Sequence, residues 1–144
     1  MPVSQILQVK GRSVVTASAK ARVSEIAGLL AEKRIGAVVI TDAHGHIEGI
    51  VSERDVVRHI AKSGAKALDM AASAIMTKDV RTCRDSDSEE VLMALMTTHR
   101  IRHVPVVTGG KLAGMISIGD VVKHRIEAIE REAEEMKAYI ASAG

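Results

Sequence analysis

The sequence predicts a mixed α/β (α+β) fold: two β-α-β-β-α units packed as a pseudo-twofold pair, followed by an extended C-terminal helix. Three observations carry that expectation. Gly49-Ile50-Val51-Ser52-Glu53-Arg54-Asp55-Val56-Val57-Arg58-His59 returns as Gly114-Met115-Ile116-Ser117-Ile118-Gly119-Asp120-Val121-Val122-Lys123-His124, with glycine, serine, aspartate, Val-Val and a basic-His ending in register. The match extends upstream, where Val14-Val15-Thr16 answers Val80-Arg81-Thr82, and Arg34-Ile35 with Ala37 to Ile40 answers Arg100-Ile101 with His103 to Val106. A repeat in register is two copies of one supersecondary unit, neither of which buries its apolar face alone. The third observation is periodicity, which alternates between strand and helix in the same order in both copies.

The elements follow in order. Ser13 to Thr16 is a short β-branched run read as a strand. Val23 to Lys33 carries Val23, Ile26, Ala27, Leu29 and Leu30 at helical spacing. Ala37 to Thr41 is an apolar strand, Asp42 to Gly45 is turn chemistry, and Ile47 to Val51 is the returning strand. Asp55 to Lys62 reads as the second helix, ended by Gly64. Ser63 to Ile75 is rich in small residues and reads as a connection with one helical turn. The second copy repeats the order: Val80 to Thr82, Glu89 to His99, Val104 to Val107, a Thr108-Gly109-Gly110 turn, Leu112 to Ser117, and a helix from Gly119. Ser86-Asp87-Ser88-Glu89 is a strong helix start, whereas Ala19 to Arg22 lacks a capping side chain. The expected division is residues 7–66 for the first unit, 67–74 for a linker, 75–128 for the second unit and 129–144 for a helical extension.

Composition narrows the function. With 144 residues, 47% apolar content, no Phe or Trp and one Tyr, the core must be built from Val, Ile, Leu, Ala and Met. Seven methionines fill gaps that aromatics would otherwise occupy. The dearth of aromatics removes the stacking platforms of single-strand nucleic-acid binders, and a formal charge of +2 does not by itself call for a polyanion. Cys83 has no internal partner, which fits a reducing compartment, and reads as a small hydrophobe on a strand. No 18-residue apolar run or signal-peptide pattern is present, so the expectation is a cytoplasmic protein without membrane attachment.

The β-α-β-β-α order, the Arg-His-Val-Pro-Val run at 102–106 and the Gly-hydrophobic-hydrophobic-Ser-x-x-Asp endings resemble tandem cystathionine-β-synthase (CBS) domains over roughly residues 7 to 128. Ser-Glu-Arg-Asp at 52–55, Ile-Met-Thr at 75–77 and Ser-Ile-Gly-Asp at 117–120 resemble, more narrowly, the small stand-alone bacterial CBS-pair proteins. The resemblance implies a pair with two clefts that in many relatives bind adenosine-containing ligands such as AMP, ATP, NAD or S-adenosylmethionine. It assigns one cleft Thr16, Ala21, Ile35, Gly36, Ala37, Arg100, Met115, Ser117 and Asp120. The other takes Thr82, Ile101, Arg102, His103, Arg34, Ile50, Ser52, Arg54 and Asp55, with Asp87 alongside.

The residues support such chemistry on their own. Ser-x-x-Asp at a strand-to-helix junction puts both side chains on the first helical turn, where the aspartate can accept from a ribose diol. The exposed N–H groups of that turn favour a phosphate. The same spacing is also an ordinary capping box. In the first cleft the resemblance implies that Asp120 takes the ribose and Arg100 a phosphate. Asp87 answers the small Ala21, and Arg54 is answered by Gly119, so the clefts are expected to differ, the Asp120 cleft being the better formed.

Other features carry less. His44 and His46 offer half a metal-ligand set in a turn. His99 and His103 flank the second helix–strand junction. No nucleophile with its base appears and no Gly-rich phosphate loop precedes a helix, so no enzymatic role or catalytic cofactor is expected. Val122, Ile126, Ile129, Ala133, Met136 and Ile140 recur at alternating steps of four and three, a coiled-coil seam that points to a homodimer; a helix folded back on its own domain is the alternative. The function expected is a regulatory sensor of adenine nucleotides or dinucleotides that signals to a regulated protein. The alternatives are a ligand-independent interaction protein with vestigial clefts, and a nucleic-acid-associated regulator, for which the arginines at 81, 84, 100 and 102 speak.

Overall fold

In the computed structural model, which describes residues 2–143, the first half of the chain runs α1 (Val3–Lys10), β1 (Thr16–Ala17), α2 (Val23–Lys33), β2 (Ala37–Thr41), β3 (Ile47–Ser52) and α3 (Glu53–Ser63). A 3-10 turn (Gly64–Asp69) and α4 (Ala72–Ile75) connect it to α5 (Glu89–His99), β4 (His103–Thr108), β5 (Lys111–Ser117) and α6 (Ile118–Ala143). In the first repeat β1 runs parallel to β2, and β2 antiparallel to β3. In the second, β4 and β5 form the matching hairpin.

The duplication is visible in the hydrogen bonding. A bulge interrupts β2 between Ile40 and Thr41 and interrupts β4 between Val106 and Val107, counterpart positions in the two copies. Within the hairpins the turns differ. Asp42 closes the first by accepting from the N–H groups of His44 and His46 at 2.8 and 2.9 Å. Gly109 and Gly110 make the second, with φ of +60° and +79°, the paired left-handed geometry of a two-residue hairpin turn.

The leading strands are shorter than expected. Of the run Ser13 to Thr16 only Thr16 is in the strand, with Ala17 after it, although Val15 O still accepts from Val39 N–H at 3.3 Å. Val80 to Thr82 is not a strand; a single parallel bridge joins Cys83 to Val106 instead. The chain leaves the sheet there because a tight turn follows at once, in which Arg84 N–H donates to the Asp87 carboxylate at 2.8 Å. The connection is more structured than a linker with one turn. Ala67, Ala72 and Ile75 are buried, and Thr77 exchanges two backbone hydrogen bonds with Ile50, adding an edge to β3.

Each repeat has its own core. Val23, Ile26 and Leu30 of α2 pack with Val38, Ile40, Val51 and Val56; Leu92 and Met96 of α5 pack with Val104, Val106, Ile116 and Val121. Glu89 stands in the place of Val23. It is 2% exposed and faces His124 of α6, whose Nδ1 lies 3.4 Å from Glu89 Oε2.

Helix α1 joins the second core as α4 joins the first: Val3 N–H donates to Asp87 O as Ala72 N–H does to Ala21 O, and Leu7 packs on Gly114 as Met76 does on Gly49. Val3, Ile6 and Leu7 are buried in the second core, against β5 and α6. An eight-residue helix is marginal alone. Burying three such side chains stabilises it by roughly 1.5–3 kcal/mol each, as an upper estimate. The spacing of Val3, Ile6 and Leu7 is the helical signal for it.

Helix α6 starts one residue earlier than Gly119 and does not fold back. Val121 is buried, but Val122, Ile126, Ile129, Met136 and Ile140 are 50–63% exposed.

Candidate ligand cleft

Each hairpin delivers its second strand straight into a helix, and two local contacts set that junction. At the first, Ser52 Oγ accepts from Asp55 N–H at 3.2 Å while Asp55 Oδ2 accepts from Ser52 N–H at 2.9 Å. At the second, Ser117 Oγ accepts from Asp120 N–H at 3.2 Å and Asp120 Oδ2 accepts from Ser117 N–H at 2.8 Å. Both Ser-x-x-Asp motifs are therefore complete capping boxes. Both capping bonds of each aspartate fall on Oδ2. Oδ1 accepts no hydrogen bond among the described residues, so capping leaves an acceptor for a ligand hydroxyl. Glu53 N–H donates to Gly36 O at 3.0 Å, and Ile118 N–H to Arg102 O at 2.8 Å, which ties each helix start to the residue before β2 or β4.

Between the repeats lies a cavity of about 660 Å³. Ile50, Ser52, Arg54 and Asp55 line it from the first repeat; Ile101, Arg102 and His103 line it from the second. Thr82 and Arg34, expected in the same cleft, do not line it, but Val80 and Arg81 do. Gly36, Ala37 and Arg100, assigned by the sequence to the opposite cleft, also face this cavity. Glu53, Val57, Arg58, Thr77, Asp79 and His99 complete the wall; Thr77 was within reach of sequence reasoning through the Ile-Met-Thr run. Asp87, set alongside this cleft, closes its own turn.

The cavity is cationic. Arg81 pairs with Asp79 at 3.2 Å and Arg58 stands 3.7 Å from Asp55. Arg54, Arg100 and Arg102 make no salt bridge among the described residues, so three guanidinium groups remain for an anion. His103 lays its ring on Gly36: a Cβ there would meet Cε1 at 2.7 Å and Nε2 at 2.9 Å, so a larger residue would push the ring aside. Burial holds the His103 pKa below its usual 6.5, helped by Lys10 and Arg102 and opposed by Glu53 and Asp120. The imidazole is neutral at pH 7.

The remaining predicted residues fall into two places. Thr16 sits exposed on β1, Ala21 accepts from Ala72 N–H at 2.7 Å, and Ile35 packs on the first core. Met115, Ser117 and Asp120 gather around the end of α1. There the Lys10 ammonium donates to Asp120 Oδ2 and to Met115 O, each at 2.6 Å. Burial raises the Asp120 pKa, but the bonds from Lys10 and Ser117 outweigh it and leave the carboxyl below its usual 3.8. A shallow groove of about 750 Å³ runs along α6 past Ile118, Val122 and Ile126. It belongs to the exposed apolar stripe; Glu127 and Glu130 line it, but neither capping aspartate does.

The sequence matches the CBS domain family twice, over residues 3–62 and 72–127. The fold is similar to the crystal structure of a CBS-domain containing protein from Agrobacterium tumefaciens, with 48% identity and a TM-score of 0.84 over 87% of this chain and 99% of that one. It is also similar to a CBS domain protein from Pyrobaculum aerophilum complexed with AMP, at 32% identity and a TM-score of 0.74 over 83% of this chain and 89% of the other. The CBS domain-containing protein CBSX3, mitochondrial, of Arabidopsis thaliana is 30% identical over 96% of this chain and 71% of its own length. Among the described residues no helix is long and apolar enough to cross a membrane.

Proposed function

This chain belongs to the CBS-domain family, and we propose accordingly that it is a regulatory module that binds an adenosine-containing ligand in the cavity at Asp55 and signals occupancy to a partner protein. The observation that carries this reading is the meeting, in one cavity, of a capping aspartate, whose Oδ1 accepts no hydrogen bond among the described residues and has only Arg58 at 3.7 Å, with three unpaired arginines. Asp55 accepts from the ribose, Arg54, Arg100 and Arg102 take phosphate, and Ile50, Ile101, Gly36 and Ala37 give the purine an aliphatic slot with backbone groups at its edge. The arginines favour AMP, ATP or NAD over an uncharged nucleoside. The AMP complex of the P. aerophilum relative supports the ligand class. The sequence favours the Asp120 cleft, but Lys10 already holds that carboxylate, and the open volume lies at Asp55. A second copy covers the α6 stripe, making the working unit a homodimer in the cytoplasm.

Calorimetry with adenosine, AMP, ATP and NAD tests the reading. Phosphorylated compounds should bind, and Asp55→Ala should weaken them by about 1–3 kcal/mol, the scale of a charge-assisted hydrogen bond. Failure of every compound to bind the parent protein would sink the proposal.

A further inference from the structure

We propose, on the adenosine reading of the cavity at Asp55, that His103 is its specificity residue for phosphate: the imidazole gains a proton from solvent when a ligand places phosphate among Arg54, Arg100 and Arg102. Position 103 is where the two repeats part. Ala37 pairs with Ser52 on β3, and His103 holds the counterpart position, paired with Ser117 on β5. The first repeat thus has a methyl group where the second has a titratable ring. That ring is half-buried and lies on Gly36, close enough that a Cβ there would meet it at 2.7 Å. It lines the same cavity as the three arginines, and Arg102 precedes it in the chain. An anion held by Arg102 is therefore a neighbour of the imidazole.

The charges around the ring are poised. Lys10 of α1 and Asp120 of α6 act on it in opposite senses and are paired with each other at 2.6 Å. Glu53 of α3 favours the proton and Arg102 opposes it. Arg54, Asp55, His99 and Arg100 line the rest of the cavity, with Arg58 beside Asp55 and Arg81 paired to Asp79. Burial decides the balance and keeps the pKa below 6.5 in the free protein. A phosphate on Arg102 offsets the cation that opposes the proton and adds negative charge beside the ring. At an effective dielectric constant of about 20, one unit charge within about 8 Å shifts the protonation equilibrium by roughly tenfold or more. Linkage is reciprocal, so the imidazolium in turn strengthens the hold on phosphate, and an uncharged nucleoside gains nothing from it. Affinity for a phosphorylated ligand rises as pH falls through the bound pKa of His103 and levels off below the free one.

The test is an NMR titration of the His103 ring in the full chain, free and saturated with AMP, ATP or NAD, the resonance being assigned by its loss in His103→Gln. The midpoint should rise by about one pH unit or more with a bound phosphorylated compound and stay at its free value with adenosine. Calorimetry supplies a second readout. From pH 6.5 to pH 8 the affinity of the parent for the same compound should fall about threefold more than that of His103→Gln. The second ionisation of a phosphate monoester, at about pH 6, is common to both proteins and drops out of the comparison. A midpoint that the bound compound leaves unmoved, a midpoint that adenosine raises equally, or equal pH slopes for parent and variant overturn the role of His103 while the ligand reading stands. Failure of all three compounds to bind overturns both.

Discussion

Arg34 and Arg100 close helices α2 and α5 in the same left-handed backbone conformation, φ 52° and ψ 48° at the first and φ 53° and ψ 45° at the second. Among the described residues they are the two non-glycine positions with positive φ. Each donates its N–H to the carbonyl four residues back, Leu30 or Met96, and the following isoleucine donates to the same oxygen at 3.2 or 3.1 Å. Glycine is the usual residue for such a helix end, and any other side chain costs the fold about 1–2 kcal/mol. Of the two, only Arg100 stands on the wall of the cavity.

Replacing either arginine by glycine should therefore stabilise the fold by about 0.5–1 kcal/mol, measured by urea denaturation. Arg100→Gly should at the same time weaken AMP binding about tenfold, because Arg100 lines the cavity. Arg34→Gly should leave that affinity nearly untouched. If both variants lose stability, the side chains pack more favourably than their backbone angles suggest.

The exposed stripe on α6 should determine assembly. Ile126 and Ile129 are 51% and 56% exposed, and water contact with both is costly unless a second copy covers them. Light scattering should give twice the chain mass for the parent at micromolar concentration. The double variant Ile126→Glu/Ile129→Glu should be monomeric with an unchanged fold. A parent of single mass removes the homodimer.

Glu89 and His124 should behave as one unit. His124→Ala leaves a carboxylate that is 2% exposed without its partner, which should cost about 3 kcal/mol. Glu89→Val with His124→Leu puts into the second repeat the valine that the first carries as Val23. This double variant should recover most of that loss in a denaturant titration. A His124→Ala variant as stable as the parent would show that water reaches Glu89.

Acid should weaken the fold in two steps. The His103 pKa lies below 6.5, so the unfolded chain takes up a proton before the folded one does. Stability is full above pH 6.5 and declines as pH falls from there through the lower folded value. The Asp120 carboxyl lies below 3.8, so the Lys10 pair acts fully above that pH and is lost as pH falls further through its folded value. That second step is small, about 1 kcal/mol or less, because both partners are partly exposed. His103→Gln should remove the first step alone, and titration of the His103 ring by NMR should give a midpoint under 6.5. A midpoint above 6.5 contradicts the burial argument.

What the sequence determined by itself is short in range. The hairpins, the capping boxes at Ser52–Asp55 and Ser117–Asp120, and the helical stripes of α2 and α5 each depend on residues a few positions apart. Their chemistry is legible wherever the pattern stands. The repeat added the pairing of counterparts, since two copies of one unit must bury one kind of face. Ile101, Arg102 and His103 at the start of β4 were named through the family resemblance, and they line the cavity.

Tertiary packing decided the rest. Nothing local tells that α1 leaves the first repeat for the core of the second, or that Lys10 reaches Asp120 across 110 positions of sequence. The short helix is held by burial of Val3, Ile6 and Leu7, and burial has no direction along the chain. Cys83 bridges Val106 where Val80 to Thr82 was expected, because the turn at Arg84 and Asp87 competes with the sheet for the same backbone. Which cleft stays open was likewise beyond local pattern: the two carboxylates are alike in sequence, and a lysine delivered from a distant helix neutralises one of them.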